Sequence, residues 1–193
     1  MGNKMKKQYC GYSLFAFAML AISASASAAD LNVNFTANIR ETTCDMKLEG
    51  GTGSDTQQTL TIGNSGQVRL DDVKAGGASA NFKIVLVECP SSLKTLKTTL
   101  KGTPSGVMPT GLVNQIAKAN GGADYSAVEI ARASAPAAPF KVNSTVDTER
   151  LVWSTTEIQN KEVPLIATVR ETKAGSMTIG DFQAVATFEF SYE

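Results

Sequence analysis

Apolar and polar residues alternate one by one near the start of the chain. The apolar positions are Leu31, Val33, Phe35, Ala37 and Ile39, and a polar or charged residue follows each of them. A period of two places every second side chain on the same face of an extended chain. The pattern therefore predicts a β-strand with one apolar face over residues 31–39.

The same period of two recurs later, and no long segment keeps the spacing of an amphipathic helix. Further strands are predicted over residues 59–62, 67–73, 81–88, 93–101, 162–171 and 182–192. We expect a short helix over residues 111–118 and a loop over the alanine- and proline-rich residues 131–139. Many short strands separated by Gly, Ser and Asn turns indicate an all-β, immunoglobulin-like sandwich built from one domain.

The first 28 residues have the pattern of a secretory signal peptide. Three lysines among residues 4–7 precede an apolar run at residues 14–22, which is too short to span a bilayer. Small residues at positions 26 and 28 then suit cleavage before Ala29, and residues 24–26 offer a nearby alternative. We expect export and no stable membrane insertion of the mature chain; an uncleaved anchor is the alternative.

Composition narrows the chemistry that the chain can perform. Its 193 residues include no histidine, which excludes Ser-His-Asp and Cys-His nucleophile systems and His-ligated zinc. The 18 basic and 18 acidic side chains balance, so no charge excess points to nucleic acid. Asp71 and Asp72 are adjacent on a predicted strand and would point to opposite faces. We therefore expect no enzyme activity, no cofactor and no metal site.

Removal of the signal peptide would leave two of the three cysteines, Cys44 and Cys89. In an oxidising compartment an even pair is expected to form a disulfide. Two buried free thiols are the alternative.

Both ends of the expected mature chain carry strongly patterned strands. The first begins two residues after Ala29, and the last ends at Tyr192, the penultimate residue. Chain termini usually fray unless something holds them. Residues 31–39 could be the first strand of their own sandwich, which the pattern by itself favours, or the terminal strands could pair with another protein chain.

The order of these features resembles that of chaperone–usher fimbrial subunits. The N-terminal part is most similar to their minor, type 1-like linker and tip-fibre subunits. The matching features are the signal peptide, the alternating arm after Ala29 and Cys44 as the first disulfide cysteine. At the other end, Gly180 is fourteenth from the C-terminus, and alternating apolar residues lead from it to Tyr192. Residues 102–150 carry no motif that matches, so their role stays open.

This resemblance implies an incomplete immunoglobulin-like sandwich, the pilin fold, which lacks its seventh strand and has a hydrophobic groove beside the C-terminal strand. A periplasmic fimbrial chaperone would fill the groove first. The N-terminal arm of an incoming subunit would then replace it at the outer-membrane usher. The implied organisation is a signal peptide at 1–28, a donor-strand arm at 29–43 and a pilin domain at 44–193. The implied location is the fimbrium on the bacterial cell surface.

The resemblance also assigns site residues. The arm residues that would enter a neighbour's groove are Leu31, Val33, Phe35, Ala37 and Ile39. The residues of the C-terminal motif that would form or border the acceptor groove and bind the chaperone are Gly180, Phe182, Ala184, Ala186, Phe188, Phe190, Tyr192 and Glu193, the last through its carboxylate. Ala37 departs from the family pattern, in which the arm often has glycine at this place.

Three functions are considered: two of them are implied by the resemblance, and the third comes from the composition. The leading one is a structural fimbrial subunit that polymerises by donor-strand exchange and supports cell adhesion. The alternative is a receptor-binding tip adhesin, although such adhesins usually carry a separate N-terminal lectin domain and no arm. A third is an exported carboxylate-dependent hydrolase, for which no convergent carboxylate pair is visible. Trp153 is interpreted as a core residue rather than a sugar platform.

Overall fold

The computed structural model describes residues 44–90 and 93–192 in full and residues 31–38 by their backbone. The strands in these ranges are β1 (Leu31–Asn38), β2 (Asp45–Glu49), β3 (Thr52–Gly53), β4 (Gln57–Thr61), β5 (Ser79–Glu88), β6 (Leu96–Lys101), β7 (Gly111–Val113), β8 (Ser126–Arg132), β9 (Leu151–Val152), β10 (Glu162–Glu171) and β11 (Phe182–Tyr192). The helices are α1 (Leu70–Ala75), α2 (Thr155–Asn160) and a single 3-10 turn at Lys118–Asn120.

The strands form two sheets. The six-stranded sheet has the order β3-β4-β1-β11-β6-β9, and the five-stranded sheet has the order β2-β5-β10-β8-β7. Paired strands run antiparallel except β1 and β11, which run parallel. The predicted all-β, immunoglobulin-like sandwich is confirmed, as are the strands predicted over residues 81–88, 162–171 and 182–192. The strand predicted from residue 93 begins later, at Leu96.

Alternate residues of the long strands form the core between the sheets. On β5, Phe82, Ile84 and Leu86 are buried, while the residues between them are partly exposed. The rings of Phe82 and Phe188, which lies on β11, are 6.0 Å apart between centroids and connect the two sheets. Trp153 is buried, and its indole Nε1–H donates to Thr98 Oγ1 at 2.9 Å. This placement confirms Trp153 as a core residue.

The strand predicted over residues 67–73 is wrong, because the chain forms α1 at the end of that segment. Asp71 and Asp72 lie in the first turn, where carboxylates interact favourably with the positive end of the helix dipole. Gly76 ends the helix in the left-handed region, at φ 75°. Val73 is the one buried residue of α1, so the helix is too short and too exposed to show an apolar stripe in the sequence.

The short helix predicted over residues 111–118 is also wrong. β7 occupies the first three residues, and the 3-10 turn begins only at Lys118. Leu112 is buried and lies opposite Val128 of β8. A Cβ at Gly111 would lie 2.7 Å from Cβ of Ala127, so the two strands approach closely. Pairing with β8, rather than local propensity, decides the extended conformation here.

The helix α2 was not predicted, although a capping box marks its start. Ser154 Oγ accepts a hydrogen bond from the Glu157 N–H, and the Glu157 carboxylate accepts one from the Ser154 N–H. Arg132 of β8 donates to the same carboxylate, with Nε 2.8 Å from Oε1, and so joins α2 to the five-stranded sheet. Burial opposes ionisation of Glu157, yet the hydrogen bonds from Arg132 and Ser154 outweigh it and lower the pKa of this carboxyl.

Candidate functional site

The site is the space between β4 and β11 in the six-stranded sheet, which we call the slot. These two strands do not pair with each other, because β1 lies between them. Leu31–Asn38 of β1 run parallel to residues 182–189 of β11, and residues 32–36 run antiparallel to residues 57–61 of β4. Without β1, β4 and β11 would each present an unpaired row of N–H and C=O groups along the slot.

Alternate residues of β11 face the core at the bottom of the slot. They are buried to 8 % exposure or less and comprise Phe182, Ala184, Ala186, Phe188 and Phe190. The residues between them are partly or fully exposed. Two alanines therefore lie between bulky phenylalanines, which leaves room for larger side chains beside Ala184 and Ala186.

The register of β1 against β11 places residues of different size opposite each other at three of the four inward positions of β11, the exception being Leu31 opposite Phe182. Val33 lies opposite Ala184 and Phe35 opposite Ala186. In the next step along the strand, Ala37 lies opposite Phe188. The departure noted at Ala37 thus lies opposite a phenylalanine of β11.

The β4 side of the slot is fixed by Gln58. Its Nε2 donates to the Leu48 carbonyl of β2 at 2.6 Å, and its Oε1 accepts from the Gly51 N–H at 3.0 Å. Leu60, two residues further along β4, is buried. A single polar side chain therefore ties this wall to the five-stranded sheet, and no spacing in the sequence marks it.

Gly180 lies two residues before β11, where the chain passes very close to the segment that follows the 3-10 turn. A Cβ at this position would be 2.5 Å from the Gly121 carbonyl oxygen and 2.5 Å from the Ala123 backbone nitrogen. Real Cβ atoms do not approach backbone this closely, so the position requires glycine. The predicted motif residue thus has a packing role at the start of the β11 wall.

The disulfide lies where the arm meets the rest of the fold. Cys44, the residue before β2, is bonded to Cys89, the residue after β5, and the sequence separation is 45 residues. This confirms the expected pair. Cys44 is buried, so the first fully described residue after the arm is held in the core of the five-stranded sheet.

The end of the predicted C-terminal motif lies beyond the part of β11 that pairs with β1, which ends at Glu189. Tyr192 is half-buried, packs against the core and lies opposite Leu96 of β6. Glu189 is exposed on the outer face, and its carboxylate pairs with Lys101 of β6 at 3.1 Å. Ile39 and Glu193 lie outside the described residues, as does the predicted signal peptide.

The described residues offer little further chemistry around the slot. Across the residues that the structure describes, no cluster of three or more His, Cys, Asp or Glu could hold a metal ion. In the same residues no helix is long and apolar enough to cross a membrane. An example of the charged groups on the outer faces is Glu49 of β2, which pairs with Lys47 and Lys83. Hydrogen bonds from these two lysines lower the pKa of the Glu49 carboxyl.

The fimbrial protein family matches residues 27–193 of the chain, which includes every strand described above. The chain belongs to this family. It is also 32% identical over 179 residues to the fimbrial-like protein YadM of Escherichia coli (strain K12), covering 90% of this chain and 93% of YadM. Family membership identifies a structural, non-enzymatic protein and implies a surface fimbrium as its location.

A solved structure supports the fold independently. The crystal structure of the P pilus rod subunit PapA superposes with a TM-score of 0.50 at 19% sequence identity. The match covers 81% of this chain and 97% of PapA. At this identity the likeness concerns the fold, and it confirms the pilin-type sandwich. The assignment to minor linker subunits stays a prediction.

Proposed function

We propose that the chain is a structural subunit of a chaperone–usher fimbria that polymerises by donor-strand exchange. In the fibre, its arm (residues 29–43) fills the slot of the neighbouring subunit, and the resulting polymer supports cell adhesion. The observation that carries the proposal is the place of β1. A strand from the N-terminal end lies in the middle of a sheet, between two strands that do not pair with each other.

A strand in this position is replaceable. It is joined to the described fold on one side only, through the segment before Cys44, while residues 44–192 form the other ladders without it. The slot offers main-chain partners on both sides, and these accept any extended segment with apolar residues at alternate positions. The arms of two copies can therefore compete for the same slot.

The energy of such a contact suffices for a fibre without covalent links. Burying one apolar side chain stabilises by about 1.5–3 kcal/mol. The five arm residues, among which alanine contributes little, together contribute on the order of 8 kcal/mol before ordering costs. Because each subunit donates one strand and accepts another, the contact does not close on itself and propagates as a filament.

The same slot explains why a chaperone and an usher are needed as partners. An empty slot would expose the β11 phenylalanines and two unpaired strand edges, which favours aggregation. A periplasmic chaperone strand would cover them until the usher brings the next arm. In this scheme the C-terminal motif from Gly180 to Glu193 binds first the chaperone and then the neighbouring arm. Export by the signal peptide precedes both steps; the family match begins at residue 27, close to the expected mature start.

Removal of residues 31–39 tests the proposal. We expect the shortened chain, co-expressed with its chaperone, to form a folded one-to-one complex that accepts a synthetic arm peptide but does not extend fibres. Size-exclusion chromatography and electron microscopy measure the two outcomes. A shortened chain that fails to fold even with the chaperone would show that the arm is an integral strand of its own sandwich.

The matched control is a second arm peptide in which Val33 and Phe35 are replaced by aspartate. Its backbone can still form the ladder, but two alternate positions become charged. We expect at least tenfold weaker uptake, because each change removes an apolar burial and adds the cost of burying a carboxylate. Equal uptake of both peptides would contradict side-chain insertion into the slot.

A further inference from the structure

The two halves of β11 have different partners on the edge that faces away from the slot. Residues 187–192 pair with β6, which ends at Lys101 opposite Thr187. The first half of β11 therefore extends beyond the end of β6. That half includes Phe182, Ala184 and Ala186, whose exposed fractions are 1 % or less.

The loop at residues 114–123 takes the place of β6 along this first half. The Asp181 N–H donates to the Gly121 carbonyl at 2.9 Å, and the Ala123 N–H donates to the Asp181 carbonyl at 2.8 Å. The Gln115 N–H donates to the Gln183 carbonyl at 2.7 Å. The 114–123 loop thus serves as a short, irregular neighbour strand.

Asn114 supplies the remaining contacts with its side chain. Its Nδ2 donates to the carbonyls of Ala123, at 2.9 Å, and of Asp181, at 2.8 Å. Its Oδ1 accepts from the N–H groups of Gln183, at 3.0 Å, and of Ile116, at 3.1 Å. A side-chain amide has two donor hydrogens and two acceptor lone pairs, so this one uses its full capacity.

We propose that Asn114 is a positioning residue for strand exchange: it holds the first half of β11 in place against the strand in the slot and so slows the replacement of that strand. Two of the four bonds lie within the 114–123 loop, and the other two join it to Asp181, just before β11, and to Gln183 of β11. Asn114 therefore fixes the one stretch of the slot wall that β6 does not reach. This gives a role to part of residues 102–150, for which the sequence offered none. The effect of Asn114 on strand exchange rests on the proposed function. The positioning of β11 by Asn114 does not.

The test uses the full chain with Asn114→Asp and, as matched control, Asn120→Asp. The first change replaces both donors by a carboxylate that repels the two carbonyls. The second makes the same chemical change in the same loop at an exposed side chain, for which the described residues provide no hydrogen bond. Hydrogen exchange is followed by mass spectrometry, and uptake of a fluorescent peptide of residues 29–43 reports replacement of the chain's own arm.

We expect Asn114→Asp to speed amide exchange over residues 181–186 and peptide uptake by about tenfold each, the size expected for losing two such bonds. Residues 187–192 and the five-stranded sheet should keep their protection, as should the whole Asn120→Asp chain. Unchanged exchange over residues 181–186, or equal loss in both sheets, overturns the positioning role. If Asn114→Asp does not fold, Asn114→Ser, which is too short to reach both carbonyls, is judged by the same criteria.

The two proposals fail in different ways. A wild-type chain that takes up no peptide, while Asn114→Asp still loosens residues 181–186 alone, contradicts donor-strand exchange and supports the positioning of β11. If the wild type takes up the peptide and Asn114→Asp does not change amide exchange over residues 181–186, donor-strand exchange is supported and the positioning role of Asn114 is contradicted.

Discussion

The two sheets of the sandwich differ in where their strands come from. The five-stranded sheet is built entirely from strands between residues 45 and 171, and its central ladders join β5, β10 and β8. The six-stranded sheet instead places residues 31–38, from before the disulfide, between β4 and β11. One sheet is complete within the domain, whereas the other depends on a strand that enters from outside residues 44–192.

This difference teaches how one fold combines stability with assembly. The five-stranded sheet and the disulfide are formed by residues 44–171 alone. In the six-stranded sheet, side chains fix the two strands that flank β1: Gln58, which lies on β4, and Asn114, which lies beside β11. Substitutions in one sheet at a time test this difference.

Loss of the disulfide should have the largest effect, and it acts on the five-stranded sheet. Replacing both Cys44 and Cys89 by serine frees a loop whose ends are 45 residues apart. The chain-entropy model gives a decrease of about 4 kcal/mol in the free energy of unfolding. Urea unfolding followed by tryptophan fluorescence, with its single buried reporter Trp153, measures this decrease.

Reduction of the wild-type chain with dithiothreitol is the control for this prediction. It should reproduce the decrease, and it should leave the double variant unchanged. A double variant as stable as the oxidised wild type would show that the disulfide contributes nothing to holding β2 on β5.

A smaller and more local effect is expected in the six-stranded sheet. Asn34 lies opposite Val185 of β11 and Thr59 of β4. Asn34→Pro removes a backbone donor from the middle of the ladder, which should cost about 2 kcal/mol and release the arm. Hydrogen exchange should then rise along β4 and β11, while β5, β8 and β10 keep their protection.

Asn34→Ala is the matched control, because it removes the same side chain and keeps the backbone N–H. Hydrogen exchange along β4 and β11 of this variant should stay near that of the wild type. If Asn34→Pro loosened both sheets to the same degree, the arm would be an integral part of the core, and the distinction between the sheets would be wrong.

The sequence predicted well those parts of the molecule in which one face is buried and the other is not. β10 and β11 match their predicted bounds: β11 alternates over its whole length, and β10 is buried at every second residue from Val163 to Val169, with Thr168 buried in addition. The disulfide followed from the even pair of cysteines that remains after residue 28. Gly180 was identified by its place in a family motif, and the structure adds the physical reason, its contact with Gly121 and Ala123.

The remaining features depend on contacts that no local pattern encodes. α1 and α2 have six residues each, too few to show a helical period, although the Ser154–Glu157 capping box was readable. β7 is extended because it pairs with β8, and Asn114 acquires its role only when β11 is brought beside the loop. Long-range packing of this kind is decided by topology, which a single sequence shows only indirectly.

The most direct test of the account asks whose arm lies in each slot of the assembled fibre. Equal amounts of ¹⁴N- and ¹⁵N-labelled subunits, each with a photoreactive residue in place of Asn34, are assembled together, cross-linked by light and analysed by mass spectrometry. The account predicts that arm-to-β11 cross-links join the two isotopes freely in fibres and join only like isotopes in unassembled monomers. Fibres in which every such cross-link joins like isotopes would contradict donor-strand exchange.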